Sequence, residues 1–136
     1  MSDTAHDVER PIGGLTAVSN ALVALHKEQF GRGPTSARSN YAGPDTLVCV
    51  FEDALLPAER AMVEMGEHHR VRESRMWFQV ATSRRFIDAV EGIVGRTVYS
   101  FASATDPERG VVMEIFIFER SDGANDGDGR GALDGR

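Results

Sequence analysis

Apolar residues recur at steps of three and four through Ile12, Leu15, Val18, Leu22 and Leu25, which places them on one face of a helix. The spacing predicts a helix over residues 10–30, with Pro11 in the first turn, where its missing N–H is harmless. Gly13 and Gly14 weaken that turn. The run GRGP at residues 31–34 then stops the helix, because a glycine accepts the left-handed conformation that ends one and Pro34 forbids continuation.

Beyond this corner the pattern alternates. ARSNYA and TLVCVFED flank GPD at residues 43–45 and predict a β-hairpin. In its second strand Leu47, Cys49 and Phe51 share one face while Val48 and Val50 share the other, which marks an inner strand or an oligomer contact. A long helical region starts at Pro57, with Glu59 well placed for the helix dipole. Within it, GEHHRVRES at residues 66–74 offers only Val71 for burial, so two helical pieces or one bent helix are expected. Gly95 ends the region, and RTVYSFASA and GVVMEIFIFE form a second hairpin around TDPERG. In the last strand Val111, Met113, Ile115 and Ile117 alternate with Val112, Glu114, Phe116 and Phe118. Both sets are largely apolar.

Helix, hairpin, long helix, hairpin is the order of an α+β fold: a four-stranded, mostly antiparallel sheet with helices on one face. Strands apolar on both sides need two covers, so a homodimer is expected to supply the second. The length of 136 residues, 41% hydrophobic and 26% charged, suits one domain, placed at residues 10–119. Residues 1–9 and the Gly/Asp-rich stretch 120–136 are expected to be loose. A calcium loop in that stretch fails on its own spacing, since Ala124 leaves a ligand position unfilled and Leu133 stands where a bidentate Glu belongs.

A formal charge of −6 opposes long-range attraction to nucleic acid or an anionic membrane. The single cysteine, Cys49, lies in an apolar run and is expected to be a buried structural thiol in a reducing compartment. An acidic N-terminus and the lack of an apolar stretch of about 20 residues point to a soluble, cytoplasmic protein without direct membrane insertion.

Candidates for chemistry are few. There is no nucleophile elbow, no GxxxxGK loop and no GxGxxG after a strand, so no enzyme and no cofactor is expected. His68 and His69 are neighbours that diverge on a helix, and Glu64 with His68 gives two ligands at most, so no metal site is expected. Arg70, Arg72, Arg75, Arg84 and Arg85 interleave with acids and read first as an exposed helix face with local ion pairs. The remaining candidate is an anion site at the corner, where Arg32 and Arg38 join backbone N–H groups around Gly31 and Gly33.

GRGP, then ALLPAER, then RRFIDAVEGIVGRTVYSFASATDPERGVVMEIFIFE resemble the MpsC-like family over residues 10–119. The resemblance implies a soluble member of a membrane-potential-generating system whose membrane components are linked to cation and inorganic-carbon transport. It brings no catalytic residues. The function expected from it is an accessory or regulatory protein docking on a membrane ion or inorganic-carbon transport system. The alternatives are a nucleic-acid-associated regulator using residues 70–85, or a small-anion sensor at the corner.

Overall fold

A computed structural model describes residues 2–120, with side chains from residue 14 onward. The rejected calcium loop and, apart from Arg120, the expected C-terminal tail at 120–136 lie outside the described residues, while the backbone of the expected N-terminal tail continues α1 from Ser2. The elements are α1 (Ser2–Phe30), β1 (Ser36–Tyr41), β2 (Thr46–Glu52), α2 (Pro57–Glu64), α3 (His68–Val94), β3 (Val98–Asp106) and β4 (Val111–Phe118). The fold is α+β, as the pattern predicts.

The strands form one antiparallel sheet in the order β1-β2-β4-β3. β2 and β4 are therefore the inner strands, each apolar on both faces. Helices α1 and α3 pack together and against the sheet. Val18 and Leu22 of α1, Phe86 and Val90 of α3, and Leu47, Phe51, Val112, Phe116 and Phe118 of the sheet make one core. Each fully buried large side chain among them contributes about 1.5–3 kcal/mol.

The long helical region is two pieces. Gly66 takes φ +83, and α3 begins at His68, so the break occupies only the start of the polar run expected to contain it. The rest is helical because it has more to bury than Val71. Arg75, which the sequence suggests is solvated, is 6% exposed and corrects the reading of that face. Its guanidinium donates from Nε to Glu59 Oε2 at 2.8 Å and from Nη2 to Glu59 Oε1 at 2.6 Å and the Ala54 carbonyl at 2.8 Å. It also lies over the Phe30 ring, 3.9 Å from the centroid. Glu59 Oε1 in turn accepts from the backbone N–H of Leu56 at 2.8 Å, so one carboxylate caps α2 and clamps α2 to α3.

Candidate functional site

The GRGP corner divides its work between two glycines. Gly31 closes α1 with φ +84, its N–H donating to the Lys27 carbonyl at 2.7 Å. Gly33 permits close approach: a Cβ there would stand 3.3 Å from the carbonyl oxygen of Val23 and 3.3 Å from its Cγ1. The chain folds back onto its own helix at that point.

Arg32 and Arg38 are each engaged by a separate carboxylate. Arg32 Nη1 donates to the carbonyls of Asp53 at 3.0 Å and Leu55 at 2.8 Å, and Nη2 donates to Asp53 Oδ2 at 3.0 Å. Asp53 has φ +54, a conformation stabilised by this grip, and Arg60 holds its other oxygen at 3.0 Å. The Arg32 hydrogen bond, followed by that of Arg60, pulls the Asp53 carboxyl below its ordinary range. Arg38 Nη1 donates to Glu52 Oε2 at 2.8 Å on the opposite side of the sheet from the helices. Gly31, Arg32 and Gly33 thus aim and tie the β2–α2 loop, while Arg38 edges the outer sheet face.

The arginines of α3 are also met by acids. Arg70 pairs with Glu67, Arg84 with Asp88 and Arg85 with Glu28, besides the buried Arg75–Glu59 pair. His68 lies 3.5 Å from Glu108, and His69 lies 3.7 Å from Glu67. Among the described residues no group of three or more His, Cys, Asp or Glu could hold a metal.

The sheet has two contrasting faces. Facing the helices, the register aligns Ser39, Cys49, Glu114 and Ser103 in a polar row across all four strands. Apolar rows flank it on both sides. Ser39 Oγ lies 2.7 Å from Ser19 Oγ and donates to Cys49 Sγ at 3.3 Å. Burial pushes the Cys49 thiol up to about 12, so it is an inert group at neutral pH. Glu114 Oε2 lies 3.2 Å from His26 Nε2, and the two side chains are only 3% and 5% exposed. Sequence reasoning passes over His26 and Glu114, yet signals exist: His26 follows Val18 and Leu22 at steps of four, and Glu114 shares parity with Val112 and Phe116.

On the other face, the register aligns Val48, Ile115 and Ala102 in one row and Val50, Met113 and Ala104 in the next. Met113, Ile115 and Ile117 are 37%, 37% and 38% exposed. No described element packs over them, since both long helices lie on the inner side. Among the described residues no helix is long and apolar enough to cross a membrane.

The family model described as Na+-translocating membrane potential-generating system (MpsC) matches residues 15–120. The chain belongs to the MpsC family. The MpsC match takes in the second half of α1, the GRGP corner, both hairpins and the α2–α3 pair, so both sheet faces lie within it. No curated protein and no solved structure matches the chain.

Proposed function

We propose that this MpsC-family protein is a non-enzymatic accessory protein of a membrane ion-transport system, docking on a protein of that system through the outer face of its sheet. The carrying observation is the contrast between the faces of β4. Val112, Phe116 and Phe118 are buried under helices, while Met113, Ile115 and Ile117 alternate with them and stay open to solvent. An open apolar sheet face flanked by the Arg38–Glu52 pair has the composition of a protein interface with a polar rim. The family description supplies the setting, a Na+-translocating membrane potential-generating system.

The test is affinity capture of the tagged chain from gently solubilised native membranes, beside an Ile115→Lys variant. A membrane transport protein retained by the native chain and lost by the variant supports docking. Equal capture by both removes this face from the role.

A second reading, a homodimer, is favoured by the lack of charge at Val48, Val50, Met113, Ile115, Ala102 and Ala104, with Arg38 confined to the β1 edge of one row. Two identical apolar faces can meet about a two-fold axis without opposing like charges. Light scattering on the isolated chain separates the readings: a dimer abolished by Ile115→Lys assigns the face to a second copy, and a monomer leaves it to the transport partner.

A further inference from the structure

The sheet ends in two unlike edges, since β1 and β3 each pair with one neighbour only. β1 is six residues long and carries Arg38, and a charge on an edge strand opposes further pairing. β3 is nine residues long, VYSFASATD, with no Pro, Lys or Arg and no charge before Asp106. Its one irregularity lies between Val98 and Ser100, so FASAT at residues 101–105 is regular strand. Along its outer side it presents an open row of backbone N–H and C=O groups, a template for another strand.

The helix beside this edge is open too. α3 runs antiparallel over β3: Glu91 accepts from the Val98 N–H at 2.8 Å, the Phe86 and Phe101 rings stack at 6.1 Å, and Arg72 and Met76 line one groove with Ser103 and Thr105. Phe78 and Thr82 face the other way, toward Phe30 and Gln29 of α1. Met76 therefore stands on the edge side of α3, and Val80, one turn on, follows it. These two apolar side chains are 53% and 60% exposed. Val80 lies between the levels of Met76 and Phe86, beside Ala102 and Ser103 in the middle of the open strand.

Edge and helix together select the occupant. A lone extended peptide would pair with the edge and leave Val80 in water. A second copy brings a strand of equal length and a helix with the same two apolar side chains. When the copies pair antiparallel about a two-fold axis through the middle of β3, their α3 helices meet near Val80 and run in opposite directions. Glu73, three residues before Met76, then approaches the partner's Arg84, four residues beyond Val80. Symmetry repeats the contact, so opposite charges flank an apolar centre. The exposed pair of Arg84 with Asp88 in its own helix is cheap to exchange for it.

We propose that two copies of this chain join edge to edge through β3, with their α3 helices paired beside the seam. The two four-stranded sheets become one, and its outer apolar face runs unbroken across both copies, open for docking. The seam lies on neither sheet face, so it stands whether or not the outer face docks on a transport protein.

The test is light scattering over a concentration series on the native chain, Val80→Lys and Ile115→Lys, both substitutions at exposed positions. The native chain and Ile115→Lys are expected to dimerise alike, and Val80→Lys to weaken self-association by about tenfold or more. Hydrogen exchange on the native chain needs no variant: the amides of residues 101–105 are expected to slow as concentration rises, while those of β1 keep their rates. A native chain that stays monomeric throughout the series, a dimer lost in Ile115→Lys and kept in Val80→Lys, or slowing in β1 without slowing in β3 would each overturn the proposal.

Discussion

Each face of the MpsC sheet departs from the usual order in its own way: the covered face, otherwise apolar, holds one polar row, and the open face holds apolar residues. Toward the helices, where water is excluded, stand a carboxylate, a thiol and two serines in one row across the strands. Toward solvent stand Val48, Val50, Met113, Ile115 and Ile117. Burying the polar row costs free energy and exposing the apolar residues forgoes it, so stability alone accounts for neither feature. The open apolar face is the feature on which the proposed docking rests.

The strongest way to break this comparison is to truncate matched residues on the two faces. Phe116→Ala on the covered side should lower stability by about 4 kcal/mol, since the ring is fully buried between β3, β2 and the helices. Its neighbour Ile115→Ala should cost about 1 kcal/mol or less in the isolated monomer. Denaturant melts of the two variants decide the matter. Losses of equal size would mean that the outer face is already covered in the isolated chain.

The same contrast runs through the ion pairs. Glu59→Gln removes the charge opposite a guanidinium that is almost wholly buried, and a loss of about 3 kcal/mol is expected. Arg84→Ala breaks an exposed pair with Asp88 and should change stability by no more than about 0.5 kcal/mol.

Much of the architecture was legible because the signals were local. The stops at Gly31 and Gly95, the two hairpin turns and the switch from helical to alternating pattern each depend on a few adjacent residues. The strand order was not legible, because pairing β2 with β4 joins segments separated by both later helices and β3. The candidate site suffered the same way. Arg32 looked available for an anion until the fold brought Asp53 to it, and Arg75 looked solvated until Glu59 arrived from another helix. His26 and Glu114 are 88 residues apart, so neither announces the other. Alternation showed that β4 has two apolar faces, but only the helices' position reveals which is open.

Effects of intermediate size test the corner. Gly33→Ala should cost about 2 kcal/mol, since the added Cβ presses on the backbone of α1 at Val23. Thermal melts of this variant, with Gly43→Ala as a strained turn control that meets no atoms, separate close approach from backbone conformation.

A pH-dependent effect concerns Cys49. Its folded thiol stays protonated to about 12, whereas the unfolded thiol ionises from the ordinary value of 9.0. Above 9.0 the unfolded state therefore binds fewer protons, and stability falls as pH rises toward 12, fully present below that window. The contribution lost by one pH unit above the unfolded value is about 1.4 kcal/mol. Comparing denaturant melts of the native chain and Cys49→Ala across this window isolates the thiol, because the variant lacks this part of the slope.

Methionine oxidation tests the open face most directly. Met113 lies at its centre, while Met65, 72% exposed, and Met76, 53% exposed, lie on the helical side and serve as internal references. Dilute peroxide would be applied to the protein in gently solubilised native membranes and to the isolated chain, with sulfoxide formation read by mass spectrometry at each position. The proposed docking predicts that Met113 is oxidised several-fold more slowly in the solubilised membranes than in the isolated chain while Met65 reacts alike in both. Equal oxidation of Met113 in the two states would contradict the claim that this face is where the protein docks.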